Sequence, residues 1–119
     1  MKIIEKTKNT PKITIDEQIL EIEGESAPEN SLEFYKPVFD WLNENIKEKK
    51  DIEIRFFFHY FNTSTSKCLI DILDIINDFY KKDGKIDFIW KYHEYDEDML
   101  ETIKEFLETI EFPSRIEKI

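Results

Sequence analysis

Ile52-Glu53-Ile54-Arg55-Phe56-Phe57-Phe58-His59-Tyr60-Phe61-Asn62-Thr63-Ser64-Thr65-Ser66-Lys67 is the stretch on which the fold turns. Its first ten residues are too rich in β-branched and aromatic side chains for a surface loop, and they predict a central strand. By the two-residue period of a strand, Ile52, Ile54, Phe56, Phe58 and Tyr60 form an apolar row, and Glu53, Arg55, Phe57, His59 and Phe61 form a mixed one. Only one face therefore demands full burial. Beyond the stretch, Leu69, Ile72, Leu73, Ile76 and Phe79 share one helical face and Asp71, Asp74 and Asp78 the other, which predicts an amphipathic helix over 64–82.

Downstream, Asp83-Gly84 ends that helix, and Ile86, Phe88, Trp90 and Tyr92 alternate with Asp87, Ile89, Lys91 and His93 as a second central strand. Upstream, Ile13 and Ile15, then Leu20 and Ile22, alternate with polar residues around Asp16-Glu17-Gln18, a β-hairpin that Gly24 closes. Phe34, Val38, Trp41, Leu42 and Ile46 mark a helix ending in the charged run 47–50. Because proline removes a donor, Pro37 places the start of its regular part near Tyr35, after an irregular turn over 30–34. Asp96-Glu97-Asp98 opens a last helix with Met99, Ile103, Phe106, Leu107 and Ile110 inward, Pro113 stops it, and 115–119 is a candidate edge strand.

The order is ββαβαβα with a possible final strand, a single α/β domain over 1–119. Strand-helix-strand units require parallel strands and right-handed crossovers. With one mixed face on each central strand, the helices are expected to pack together on the opposite face of a mixed sheet.

The chain has 119 residues, 27 acidic against 17 basic, and a formal net charge of -10, which repels nucleic-acid backbones and anionic lipid surfaces. No apolar run reaches the roughly twenty residues of a membrane span, and Met1-Lys2-Ile3-Ile4-Glu5-Lys6 is too charged and short for a signal peptide, so a cytoplasmic protein is expected. Cys68 alone cannot form an internal disulfide, in keeping with a reducing compartment. Asn62-Thr63-Ser64 fits a glycosylation acceptor only formally. With ten Phe available to a core, disorder is expected only in the first few residues.

The chemistry concentrates at Asn62-Thr63-Ser64-Thr65-Ser66-Lys67, where four hydroxyl residues meet a helix start. A helix N-terminus presents unpaired N–H groups and partial positive charge, so a hydroxyl caps it and a phosphate is favoured there. By composition alone the capping role of Thr63, Ser64 or Thr65 outweighs a regulatory one. His59 and His93 share the mixed face but, with Cys68 on a helix, make no closed metal-ligand spacing. The acidic run Glu94 to Asp98 lacks the glycine and alternating ligands of a calcium loop, which leaves helix capping. No nucleophile triad, phosphate-cradling glycine loop or paired carboxylates emerge, so neither catalysis nor a cofactor is expected. Phe57 and Phe61, near Ile89, read as an exposed contact surface for a partner, for self-association or for the N-terminal segment.

Pro28-Glu29-Asn30-Ser31, Trp41, Tyr60-Phe61-Asn62-Thr63-Ser64-Thr65-Ser66-Lys67 and Phe112-Pro113 together resemble the SiaC family of bacterial regulatory phosphoproteins, across nearly the whole chain. The resemblance implies a fold like the STAS domains of anti-sigma-factor antagonists. It also implies a partner switch in which a serine/threonine kinase modifies Thr63, with Ser64 the alternative acceptor. A PP2C-like phosphatase would reverse this, and the unmodified form would activate a diguanylate cyclase in cyclic-di-GMP signalling and biofilm regulation. Phosphate adds roughly -1.5 to -2 charge and bulk to a surface that a partner approaches closely.

Loops after parallel strands gather at one sheet end, so Pro28 to Ser31 is expected beside Thr63. There Asn30 or Ser31 caps a helix, and Glu29 and Asn30 shape a partner surface together with Asn62, Ser64, Thr65 and Lys67. The family motif itself assigns no role to Thr65 or Lys67. Lys67 is either a phosphate partner or a solvated first-turn lysine. The alternatives to a switch are a constitutive scaffold with Thr63 as a cap, and a small enzyme using the hydroxyl cluster.

Overall fold

The computed structural model describes residues 1–119. Six strands and three helices follow in the order β1 (Lys2–Ile4), β2 (Lys12–Asp16), β3 (Ile19–Ser26), α1 (Ser31–Lys47), β4 (Ile52–Phe61), α2 (Thr63–Lys81), β5 (Ile86–Tyr92), α3 (Glu97–Leu107) and β6 (Ser114–Lys118). They form one six-stranded sheet whose strands lie side by side in sequence order. β1, β2 and β3 pair antiparallel, and β3 through β6 pair parallel. Each crossover steps in the same direction across the sheet, so three right-handed connections set α1, α2 and α3 on one face. The expected mixed sheet with one-sided helices is what forms.

The core is the product of that one-sidedness. Ile52, Ile54, Phe56 and Phe58 of β4 are at most 2% exposed, and Leu20, Ile22, Phe88 and Trp90 join them from the flanking strands. Phe56 meets Phe58, Phe88 and Trp90 edge to ring with centroids 5.1–5.4 Å apart, the arrangement that opposes ring edge to ring face. From above, α2 contributes Leu69, Ile72, Leu73, Ile76 and Phe79, all the residues its period picked out.

Local expectations fail in five places, each for a definable reason. The first residues are ordered, because Lys2 to Ile4 gain a ladder against Ile13 to Ile15. β3 runs through Gly24 to Ser26, and Gly24 holds φ at 126, a backbone conformation that L side chains rarely adopt. Helix α1 starts at Ser31 and runs through Pro37, since Asn30 supplies the cap and the exposed Glu33 leaves its orphaned carbonyl open to solvent. Helix α3 stops at Leu107, so Ile110 packs from the following turn.

The fifth concerns β4. Its pairing with β3 slips between Gly24↔Phe58 and Glu25↔Tyr60, leaving His59 as an extra residue. Parity reverses beyond the bulge: Tyr60 turns outward, 53% exposed, and Phe61 turns inward onto Phe58, Trp90 and Phe106. Helix α2 therefore begins two residues after an anchored aromatic, with only its cap Asn62 between.

Candidate functional site, the hydroxyl-rich start of α2

Strands β3 and β4 end side by side, and the chain leaves each into a helix. Asn62 caps α2, its Oδ1 accepting from the Thr65 N–H at 2.9 Å. Asn30 caps α1 in the same way, accepting from the Glu33 N–H at 3.2 Å. Both caps are asparagines rather than the hydroxyl residues that follow, which frees those hydroxyls for other bonds. The Asn62 N–H donates to the Ser26 carbonyl at 3.0 Å, which fixes the α2 entry to the end of β3.

Below the surface lies a buried network that sequence reasoning missed. Ser26 Oγ is 2.6 Å from Tyr35 Oη and 2.9 Å from Thr65 Oγ1, and Thr65 Oγ1 donates to the Ser26 carbonyl at 3.2 Å. One proton order satisfies all three hydroxyls: Tyr35 donates to Ser26, Ser26 to Thr65, and Thr65 to the carbonyl. All three residues are fully buried, and burial pushes the Tyr35 phenol well above its ordinary value against the lowering effect of the Ser26 hydrogen bond. Tyr35 lay outside the face read for α1, although its place three and seven residues before Val38 and Leu42 on one helical face is a signal that could have found it. Ser26 carried no such signal.

Thr65 is therefore corrected from a partner-contacting residue to an internal strut, for at 0% exposure no partner reaches it. Ser64 is exposed, yet it donates to Asn62 Oδ1 at 3.1 Å and lies 2.7 Å from Ser31 Oγ. That Ser31–Ser64 bond joins the Pro28–Ser31 loop to the α2 start. Glu29, Asn30, Thr63 and Lys67 are exposed around it, and Asn62 and Ser66 are half-buried. The first turn of α2 contains no acidic residue. An added phosphate there meets unpaired N–H groups and no carboxylate of its own turn.

On the open face of the sheet, Phe57, His59 and His93 form a triangle with ring centroids 4.9–5.0 Å apart, and Tyr95 stacks on His93 at 5.1 Å. Ile89 is covered there, at 7% exposure, and Phe61 belongs to the core rather than to this patch. Cys68 sits on the buried side of α2, where burial pushes its thiol up.

The fold is thus a one-sided α/β domain whose exposed polar groups gather at the start of a helix. The family model for SiaC family regulatory phosphoproteins matches residues 4–119, and the chain belongs to that family. It is thus a regulatory protein and not itself an enzyme. An uncharacterized protein of Pseudomonas aeruginosa strain UCBPP-PA14 is 32% identical over 114 residues, covering 93% of this chain and 90% of that one. SiaC from Pseudomonas aeruginosa, crystallised in complex with the diguanylate cyclase SiaD that it activates, is 30% identical. The whole of both chains superposes with a TM-score of 0.96. Apo-SiaC from the same organism, also 30% identical, gives 0.86 over 98% of this chain and 99% of that one.

Proposed function

We propose that this protein is a cytoplasmic partner switch that binds and activates a diguanylate cyclase when unmodified and releases it when Thr63 carries a phosphate. A serine/threonine kinase adds the phosphate and a PP2C-like phosphatase removes it. The observation that carries the choice of residue is the division of labour among the four hydroxyls. Thr65 is buried, Ser64 is tied to Ser31 and Asn62, Ser66 is half-buried, and Thr63 stands exposed at the first helical position outside the network.

A phosphate at Thr63 lies close to the unpaired N–H groups of the first turn, so the helix tolerates it. A partner seated over the same turn loses shape and charge complementarity. Glu29 and Asn30 frame the approach, Asn62 and Ser64 hold the turn in shape, and Lys67 is the cation nearest in sequence to receive the phosphate. A kinship to STAS domains accords with the one-sided sheet and with a switch at a strand-to-helix junction.

The test is co-expression with the cognate kinase followed by intact-mass and fragment analysis. One phosphate on Thr63, absent in Thr63→Ala and removed by the phosphatase, is expected. An unmodified chain in the presence of active kinase overturns the switch. Modification at Ser64 instead keeps the switch and overturns the residue.

A further inference from the structure

We propose that the edge strand β6 is a self-complementary interface through which two copies of this chain pair antiparallel, extending the sheet across a two-fold axis at Ile116. All five residues of Ser114–Lys118 are exposed, and nothing pairs with the outer side of the strand. The strand contains no proline and no bulge, two of the devices that blunt an edge, and the charges it does carry, Arg115, Glu117 and Lys118, bear both signs.

The direction of its free hydrogen-bonding groups follows from its partner. The Ile119 N–H donates to the Tyr92 carbonyl at 2.8 Å, and the Ile119 carbonyl accepts from Glu94 at 3.0 Å, so position 119 points its backbone groups at β5. By alternation Glu117 and Arg115 do the same, and Ser114, Ile116 and Lys118 direct theirs at the open edge. In an antiparallel pairing centred on Ile116, the two Ile116 residues face each other and each Ser114 faces a Lys118 of the other copy. Each of these is a hydrogen-bonded pair that exchanges both N–H···O bonds.

The intervening positions supply the specificity. Arg115 falls opposite Glu117 of the second copy, and Glu117 opposite its Arg115, in non-hydrogen-bonded pairs where side chains approach most closely. Both residues lie on the open sheet face, in register with Ile89 and Lys91 of β5. Arg115 already holds Asp87 through Nη2 at 2.7 Å, and Glu117 makes no ion pair within its own chain. Pairing completes a line Asp87–Arg115–Glu117 across the junction. A parallel pairing in register sets like charges side by side, so the charges choose the antiparallel one. Ile116, 40% exposed in the single chain, gains apolar cover from the same residue of the second copy.

Five residues of edge bury less than the roughly 1,200 Å² of a stable interface, and each chain carries a net charge of -10. The dimer is accordingly a concentration-dependent one. Sedimentation equilibrium on the full chain, loaded from dilute to concentrated, should show a monomer–dimer isotherm. Glu117→Arg and Arg115→Glu should each weaken self-association at least tenfold, and an equimolar mixture of the two should regain it, because every crossing pair is then again of opposite charge. Ile116→Pro, which removes an N–H aimed at solvent, should abolish the dimer, with circular dichroism reporting that the fold is kept. A monomer at every concentration overturns the proposal. So does a dimer indifferent to both charge changes, or a mixture that stays monomeric.

Discussion

Helices α2 and α3 begin in the same setting, each just after a parallel strand and each capped by a side chain. Asn62 accepts from Thr65 at 2.9 Å, and Asp96 accepts from Met99 at 3.0 Å. Their first turns differ in charge. Glu97 and Asp98 follow the Asp96 cap, so α3 supplies its own negative complement to the helix dipole, whereas α2 has only hydroxyls and no acid. A helix start that supplies its own charge is finished when it folds. One that offers an exposed hydroxyl in place of an acid is left open to a charge added later.

The largest expected effect breaks that comparison at its centre. Thr63→Asp writes into α2 the negative charge that α3 already has, and it should weaken binding to a diguanylate cyclase partner at least tenfold, about 1.4 kcal/mol, by isothermal titration. Thr63→Ala should bind as the native chain does. Equal binding by both variants would make the α2 start no more than a capped helix.

Comparable in size, but read in stability and not in binding, is the effect of the buried support beneath α2, which joins that helix start to β3 and α1. Ser26→Ala leaves Tyr35 and Thr65 short of a buried partner and should cost about 1–3 kcal/mol in urea unfolding. The same support gives an alkaline signature. The Tyr35 phenol is raised above its ordinary 10.0 by burial, so the unfolded chain loses that proton first. Stability due to Tyr35 is thus complete below pH 10.0 and falls as pH rises beyond it, by about 1.4 kcal/mol per pH unit. Tyr35→Phe should remove that share of the slope, measured as the difference between the two chains' pH profiles.

The smallest effect sharpens the contrast by exchanging the caps. Asn62→Asp should stabilise α2 by about 0.3–1 kcal/mol at low salt, an increment that fades as salt is added. Asp96→Asn should cost less than that, because Glu97 and Asp98 still face the same dipole. Thermal melts at two ionic strengths distinguish the two. Equal and opposite shifts would mean that first-turn charge has no bearing on the difference between the helix starts.

Legibility in the sequence followed the strength of periodic patterning. The five inward residues of α2 and the alternation of β4 up to Phe58 are repeated signals, and each is realised, whereas in β5 the alternation is broken by Ile89, which is buried on the open face as Phe88 and Trp90 are on the other. The three-residue β1 has no period to read, and its order comes from a ladder with β2. Helix α2 ends with Asp83 at φ 69, a residue type that tolerates the left-handed region. Gly84 is there because a Cβ would fall 2.5 Å from the Phe79 ring. Asn77, read only as part of α2, turns out buried and accepts from the Glu111 N–H at 2.8 Å, holding the turn before β6.

By itself, then, the sequence determined the α/β class, the single-sided sheet and the placing of hydroxyl chemistry at a helix start, because those depend on local period and charge. The resemblance in Asn62-Thr63-Ser64 and Pro28-Glu29-Asn30-Ser31 pointed to the family. Only the tertiary structure decided which hydroxyls are free. The bulge at His59 reverses the parity of β4 so that Phe61 anchors inward, and Ser26, distant in sequence, draws Thr65 into the core. Ser31 engages Ser64, and Thr63 is left facing solvent. Those outcomes hang on contacts between residues some thirty or more positions apart, which no local pattern encodes.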